Sequence, residues 1–250
     1  MKPRQRVVAV TGGTRGIGRA IAERFAERGD QVAVCSRAAA DEAWPEAVVR
    51  YTADVRRRED VQRFVEAVVA RFGALDIFVN CAGVSRWRAA QDLDEAFVRE
   101  MLDTHIGGAL WGCAAAAAAM RAGGCIVNVS SLAGKRGSAN NSVYCAAKFA
   151  VNGITQALAK ELGPRGIRVN AVCPVYVETE RLVAALSEPA SPAGGRAVSA
   201  YLASFAATQT ALGRLPTAPE VAATVYFLAS PDASAITGQC LNVDCGTSPQ

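Results

Sequence analysis

A tyrosine and a lysine four residues apart, Tyr144 and Lys148 in Y-C-A-A-K, carry the clearest chemical potential of this 250-residue chain. On a helix, residues at i and i+4 share one face, so the phenol and the ammonium sense each other's charge. A free phenol titrates near about 10 and is a poor proton donor or acceptor at neutral pH. A fixed cation beside it favours the phenolate and is expected to draw that value toward the working pH. Lysine is scarce, with Lys2, Lys135, Lys148 and Lys160 standing against 23 arginines, and one of the four falls where a proton-transfer pair needs it. Arginine keeps its charge permanently and cannot share a proton relay. Taken without further context, Tyr144 can also be read as a helix-packing aromatic.

The elements that must position this pair alternate along the chain. Val7–Val10, Val32–Cys35, Val48–Tyr51, Leu75–Asn80, Ile126–Val129, Ile167–Val172 and Leu241–Val243 read as strands. Between them, Ile17, Ile21 and Phe25, then Val61, Val65, Val68 and Phe72, repeat at helical spacing, with Gly29 and Gly73 as stops. A long helix is predicted over roughly 94–121. The helix carrying Tyr144 runs to Leu162 and stops at Gly163-Pro164, and another holds Val221, Val225 and Leu228. Such alternation predicts an α/β fold, a Rossmann-type doubly wound parallel sheet in a single domain spanning 1–250. A helical segment at about 180–213, interrupted by Pro189, Pro192, Gly194 and Gly195, reads as a substrate lid. Only the ends and a stretch near 187–196 look disordered.

The first strand leads into T-G-G-T-R-G-I-G at 11–18 and then a helix. In that setting Gly12 permits a tight turn, Gly16 lets backbone approach a pyrophosphate, and Gly18 allows close helix–strand packing. The helix start offers free N–H groups to phosphates. About twenty residues on, where an NAD site would carry an acid, the chain has Ser36 and Arg37. Arg37 with Arg15 can hold a 2′-phosphate, so NADP(H) is the expected cofactor, with NAD(H) possible. Either arginine can instead be simply solvated.

Composition excludes several classes. A net charge of +4 with acids interleaved among bases, as at 56–60, argues against nucleic-acid binding. The longest uncharged helical stretch, 109–120, is too short to span a bilayer. A soluble, cytoplasmic protein is expected. Eight cysteines, none in C-x-x-C, and a single histidine, His105, point to free thiols and to no zinc site.

Taken together, T-G-x-x-x-G-x-G at 11–18, A-D-V at 53–55, N-C-A-G at 80–83, S-S at 130–131, Y-x-x-x-K at 144–148, C-P-V-Y-V-E-T at 173–179 and I-T-G-Q-C-L-N-V-D at 236–244 resemble the short-chain dehydrogenase/reductase family, over essentially the full length. The resemblance is to the single-domain branch that includes 3-oxoacyl-carrier-protein reductases. It implies that Tyr144 is the general acid/base, that Ser131 bonds the substrate carbonyl, and that Lys148 binds the nicotinamide ribose and lowers the tyrosine pKa. It further implies cofactor contacts from Gly12, Thr14, Arg15, Gly16, Ile17, Gly18, Ser36 and Arg37, from Asp54 and Val55 beside the adenine, and from Asn80, Ala82 and Gly83. Tyr144, Lys148, Pro174, Val177 and Thr179 complete that set. The family also implies a homodimer or homotetramer built on the 109–120 and Tyr144 helices.

Three positions depart from the family pattern. His105 stands where relatives carry a relay asparagine. Histidine both donates and accepts, with an ordinary pKa near about 6.5, so it either keeps the relay with an altered acid limb or serves helix packing. Val175 follows the proline where glycine is common, and Cys245 lies in D-C-G where D-G-G is common. Arg86-Trp87-Arg88 can meet an anionic carrier group, although an exposed loop without that role is favoured. Tyr201, Leu202 and Phe205 predict a partly apolar pocket. The leading expectation is NADPH-dependent reduction of a ketone or 3-oxoacyl group, on a small-molecule or acyl-thioester substrate. The alternatives are oxidation of a secondary alcohol or polyol, and a nucleotide-binding regulator without turnover.

Overall fold

The computed structural model describes residues 5–38, 44, 47–121 and 123–249. Seven strands form one parallel sheet: β1 (Val7–Thr11), β2 (Gln31–Ser36), β3 (Val48–Thr52), β4 (Ile77–Asn80), β5 (Cys125–Val129), β6 (Arg168–Pro174) and β7 (Cys240–Val243). Their spatial order is β3-β2-β1-β4-β5-β6-β7, so the winding reverses between β1 and β4. In such sheets the crevice outside the carboxyl ends of the strands at this reversal is where ligands bind. The short connection expected before β3 lies largely outside the described residues, as do the outermost residues of both ends.

Strand side chains alternate faces, and both faces of this sheet are covered, which is why the strands read as continuous apolar runs. Val7, Ala9, Phe78, Ile126 and Val169 meet α2 (Arg58–Phe72), α4 (Gly108–Ala119) and α5 (Ser142–Leu162) through Phe64, Val65, Cys113, Ala116 and Leu162. Val8, Val10, Val34, Ile77 and Val127 meet α1 (Gly16–Glu27) and α8 (Ala218–Leu228) through Ile21, Phe25, Val221, Val225 and Leu228. Each of these large side chains, once buried, contributes roughly 1.5–3 kcal/mol.

Two expectations need correction. The helix predicted over 94–121 is α3 (Glu95–Leu102), then a π-helical turn at Asp103–Gly107, then α4. Such a turn adds one residue to the coil and re-aims its side chains, and here it carries His105 into the interior. The stretch at 187–196 is ordered between α6 (Glu180–Leu186) and α7 (Val198–Gln209). Ser191 Oγ donates to Leu186 O at 2.5 Å, Arg196 N donates to Ala193 O at 3.0 Å, and Ala193 is fully buried. Proline and glycine content signalled turns there, and turns need not be loose. Among the described residues no helix is long and apolar enough to cross a membrane, and all eight cysteines are free thiols.

Candidate active site

α5 lays Cys145, Lys148, Val151, Asn152, Thr155 and Ala159 on its buried face, so an ammonium is carried into the interior beside apolar neighbours. Lys148 Nζ donates to Val129 O at 2.9 Å and stands over the Tyr144 ring, 5.6 Å from its centroid. Ser131 follows β5 and caps a short 3-10 turn, its Oγ accepting from Ala133 N at 3.1 Å. Gly134 in that turn lies directly against α5. A Cβ there would sit 2.6 Å from Lys148 O, so only glycine lets the Ser131 loop and the Tyr144 helix touch. The expected trio therefore converges at the carboxyl end of the sheet.

The direction of the tyrosine shift reverses the expectation. Burial pushes the Tyr144 phenol up to about 12, while its hydrogen bond with Ser131 pulls the other way. Lys148 faces the ring and the Val129 carbonyl, and burial brings its own pKa down to about 8. In the protein by itself the phenol is thus held as an acid.

His105 is buried and contacts Tyr144 edge to face. Its Nε2 lies 2.7 Å from Val84 O and donates to it. Burial first, then the charge of Lys148, brings the imidazole down to about 3, so it is neutral throughout the physiological range. The altered acid limb expected of it has no source here. A void of about 10 Å³, the size of one water, is bounded by Asn80, His105, Asn128 and Lys148 among others.

The crevice at the β1/β4 reversal is built from close backbone approaches. Gly12 has φ +66, and a Cβ on it would lie 2.7 Å from Ala82 Cα; on Gly18 it would lie 2.3 Å from Gly12 O. Thr11 Oγ1 accepts from Cys81 N and Ala82 N, tying the two strand ends together. Asn80 turns inward, Nδ2 donating to Asn128 Oδ1 at 2.9 Å, and Asn128 donates in turn to Thr155 Oγ1. Arg15 and Arg37 are exposed at the crevice mouth, with no ion-pair partner among the described residues. Ser36 Oγ donates to Ala38 O, and no carboxylate stands in its place. Asp54 is held below its usual range by Arg56, and Val55 packs on Gly108. A glycine cradle with exposed cations at its rim fits a phosphate-bearing dinucleotide.

The family model described as Enoyl-(Acyl carrier protein) reductase matches residues 12–248. The chain belongs to the short-chain dehydrogenase/reductase family. Short-chain reductase protein NovJ of Streptomyces niveus is 38% identical over 250 residues, covering 96% of this chain and 93% of that one. Among solved structures, the aldohexose dehydrogenase of Thermoplasma acidophilum superposes with TM-score 0.90 at 30% identity, over 99% and 98% of the two chains. A variant of actinorhodin polyketide ketoreductase with NADPH gives 0.88 at 32% identity, over 98% of each. This short-chain dehydrogenase/reductase is an NAD(P)-dependent oxidoreductase with a Rossmann-type sheet.

Three residues expected at the cofactor of this short-chain dehydrogenase/reductase also take part in its packing. Val177 is buried in the α1/α8 core, Pro174 is buried at the end of β6, and Ile17 packs on that core as well. The loop expected to be exposed, 86–88, instead buries Trp87 and forms a seat. Trp87 is 4% exposed and packs with Ala185, Leu186 and Leu202 of the 180–209 segment. Arg86 reaches Glu188 at 3.2 Å and Glu100 at 3.4 Å. Tyr176 was missed: its ring meets Phe205 at 4.8 Å, and its hydroxyl meets that of Tyr201 at 3.1 Å. The usable signal was an aromatic two residues after the strand-end Pro174. Arg181, which the motifs did not single out, donates from Nη1 to Gly83 O at 2.8 Å.

Proposed function

We propose that the chain reduces a ketone or 3-oxoacyl group to a secondary alcohol with NADPH. The observation that carries this reading is the convergence of Ser131, Tyr144 and Lys148 beside a glycine cradle rimmed by Arg15 and Arg37. When bound, the nicotinamide supplies the hydride. Ser131 Oγ and Tyr144 Oη hold the substrate oxygen, and Tyr144 gives up its proton at Oη as negative charge develops there. A phenol kept protonated by burial is in the right state to donate. Lys148 steadies the phenolate left behind and orients the ribose. His105 positions the Tyr144 ring by its edge contact and anchors Val84.

The segment 180–213 serves as the lid of a single domain, with Tyr176, Tyr201 and Phe205 as an aromatic wall for a partly apolar substrate. The polyketide ketoreductase relative supports an acyl substrate. The aldohexose dehydrogenase likeness supports the opposite direction, oxidation of an alcohol by the same residues. α4 and α5 leave Leu110 and Phe149 exposed, at 40% and 48%, beside the small exposed residues Ala114, Ala118 and Gly153. We take this face as the contact of a homodimer or homotetramer. Eight free thiols favour a cytoplasmic setting.

The test is Tyr144→Phe. Turnover of ketones with NADPH is expected to fall by roughly 10²–10⁴ while NADPH binding is kept. A variant that turns over like the wild type overturns the role of Tyr144, and a wild-type chain that binds NADPH but turns over no ketone leaves a nucleotide-binding regulator.

A further inference from the structure

We propose that Arg181, on the first helix of the segment over the site, is a ligand of the dinucleotide's pyrophosphate. This rests on the reading that the β1/β4 crevice takes a nicotinamide dinucleotide. Thr179, where α6 begins, lies over the glycine turn: a Cβ built on Gly16 would come within 3.3 Å of Thr179 Cγ2. Two residues on, Arg181 reaches across the crevice and donates from Nη1 to Gly83 O at 2.8 Å, at the end of β4. Its guanidinium therefore stands at the β4 wall of the reversal, while the start of its helix lies over the glycine turn that follows β1. That gap is where the glycine turn presents its N–H groups.

Charge points the same way. Three arginines near this site are paired, Arg56 with Asp54, Arg86 with Glu188 and Arg88 with Asp94. Arg15, Arg37 and Arg181 have no ion-pair partner among the described residues. They are close enough to feel one another: partial burial, then Arg15 and Arg37, lower the Arg181 pKa. Three like charges gathered at one crevice repel until a multiply charged anion joins them. Arg37 directly follows β2, on the side of a 2′-phosphate, whereas Arg181 is anchored just beyond β4. Its partner is thus the diphosphate, which NAD(H) and NADP(H) share. Arginine's planar fork suits two phosphate oxygens, and its bond to Gly83 O leaves other N–H groups free.

The experiment is titration calorimetry on the full chain with ADP-ribose, NAD⁺ and NADP⁺, using wild type, Arg181→Gln, Arg181→Lys and Arg37→Ala. ADP-ribose carries the diphosphate without the nicotinamide or the 2′-phosphate. Arg181→Gln is expected to weaken all three ligands by a common factor of about ten or more, and Arg181→Lys by less. Arg37→Ala is expected to weaken NADP⁺ alone. If Arg181→Gln binds ADP-ribose within twofold of wild type, or loses affinity for NADP⁺ only, the proposal is overturned. A wild-type chain that binds none of the three sinks the dinucleotide reading itself, a separate result. Should the glutamine variant melt early by circular dichroism, the Arg181→Lys ratios across the three ligands decide.

Discussion

The imidazole of His105 meets the ring of Tyr144 edge to face, with centroids 5.3 Å apart and planes at 83°. The π-helical turn turns His105 inward, and the Val84 carbonyl fixes its Nε2. Asparagine is shorter and lacks the ring, so His105→Asn is expected to loosen Tyr144 rather than to restore a proton path. The expected loss is about 3–10-fold in kcat with little change in KM, consistent with the 0.5–1.5 kcal/mol of an aromatic pair. Because the imidazole titrates near 3, both proteins should show flat kcat/KM between about pH 5 and 7. A limb near pH 6.5 that vanishes in the variant contradicts this.

Lys148 gives the pH dependence that His105 does not. Its folded pKa, about 8, lies below the ordinary 10.5, so between these values the unfolded chain binds more protons. Stability from this group is therefore fully present above about 10.5 and is lost as pH falls through about 8. Lys148→Met is expected to gain about 1–3 kcal/mol at pH 7, the gain fading between pH 8 and 10.5, while activity falls. In the wild type, reduction should weaken above about pH 8 as the ammonium loses its proton. Denaturant melts over that range, with pH–rate curves, check both halves.

The Arg86–Glu188 pair joins residues 102 apart in sequence, with Glu188 Oε2 also accepting from Trp87 N at 3.4 Å. Both side chains are partly exposed, so the pair adds at most about 1 kcal/mol to global stability. Its role is to seat the covering segment. Glu188→Ala is expected to leave Tm within about 2 °C and to raise KM for a bulky ketone about 3–10-fold. Trp87→Ala, which empties the contact with Leu186 and Leu202, should cost about 3–5 kcal/mol. A Glu188 variant with unaltered KM speaks against the seat.

Most of the sheet was legible in the sequence because its central strands are buried on both faces and read as unbroken apolar runs. Ser131, Tyr144 and Lys148 were legible because their spacing is local to one loop and one helix. The π-helical turn was not, since no proline breaks the helical segment at 103–107 and its buried positions are the polar Thr104 and His105. Nor was the seat at Trp87, whose partners lie about a hundred residues away. The tyrosine shift was read with the wrong sign because spacing reports the nearby cation and says nothing of depth.

Arg37 tests the cofactor reading. Arg37→Asp puts an acid at the end of β2, where ribose hydroxyls are read. The ratio of kcat/KM for NADPH over NADH is expected to drop by at least about a hundredfold. Wild-type kinetics that already favour NADH overturn the preference.

Cys245 has φ +53, a left-handed conformation that costs a non-glycine residue about 1–2 kcal/mol. Part of that is offset by the greater freedom glycine has when unfolded. Cys245→Gly is therefore expected to stabilise by about 0.5–1 kcal/mol, raising Tm by about 1–4 °C. Calorimetry showing a lower Tm means that the thiol's packing outweighs the backbone.

The five residues from Gly83 to Trp87 are gripped from three directions: Arg181 on Gly83, His105 on Val84, and Glu188 on Arg86 and Trp87. One short strap thus answers to the coenzyme side, the proton donor and the substrate cover at once. An engineer who reshapes the cover for a new ketone should find coenzyme affinity drifting in the same clones. Compensating changes are best sought in that strap before the aromatic wall is altered again.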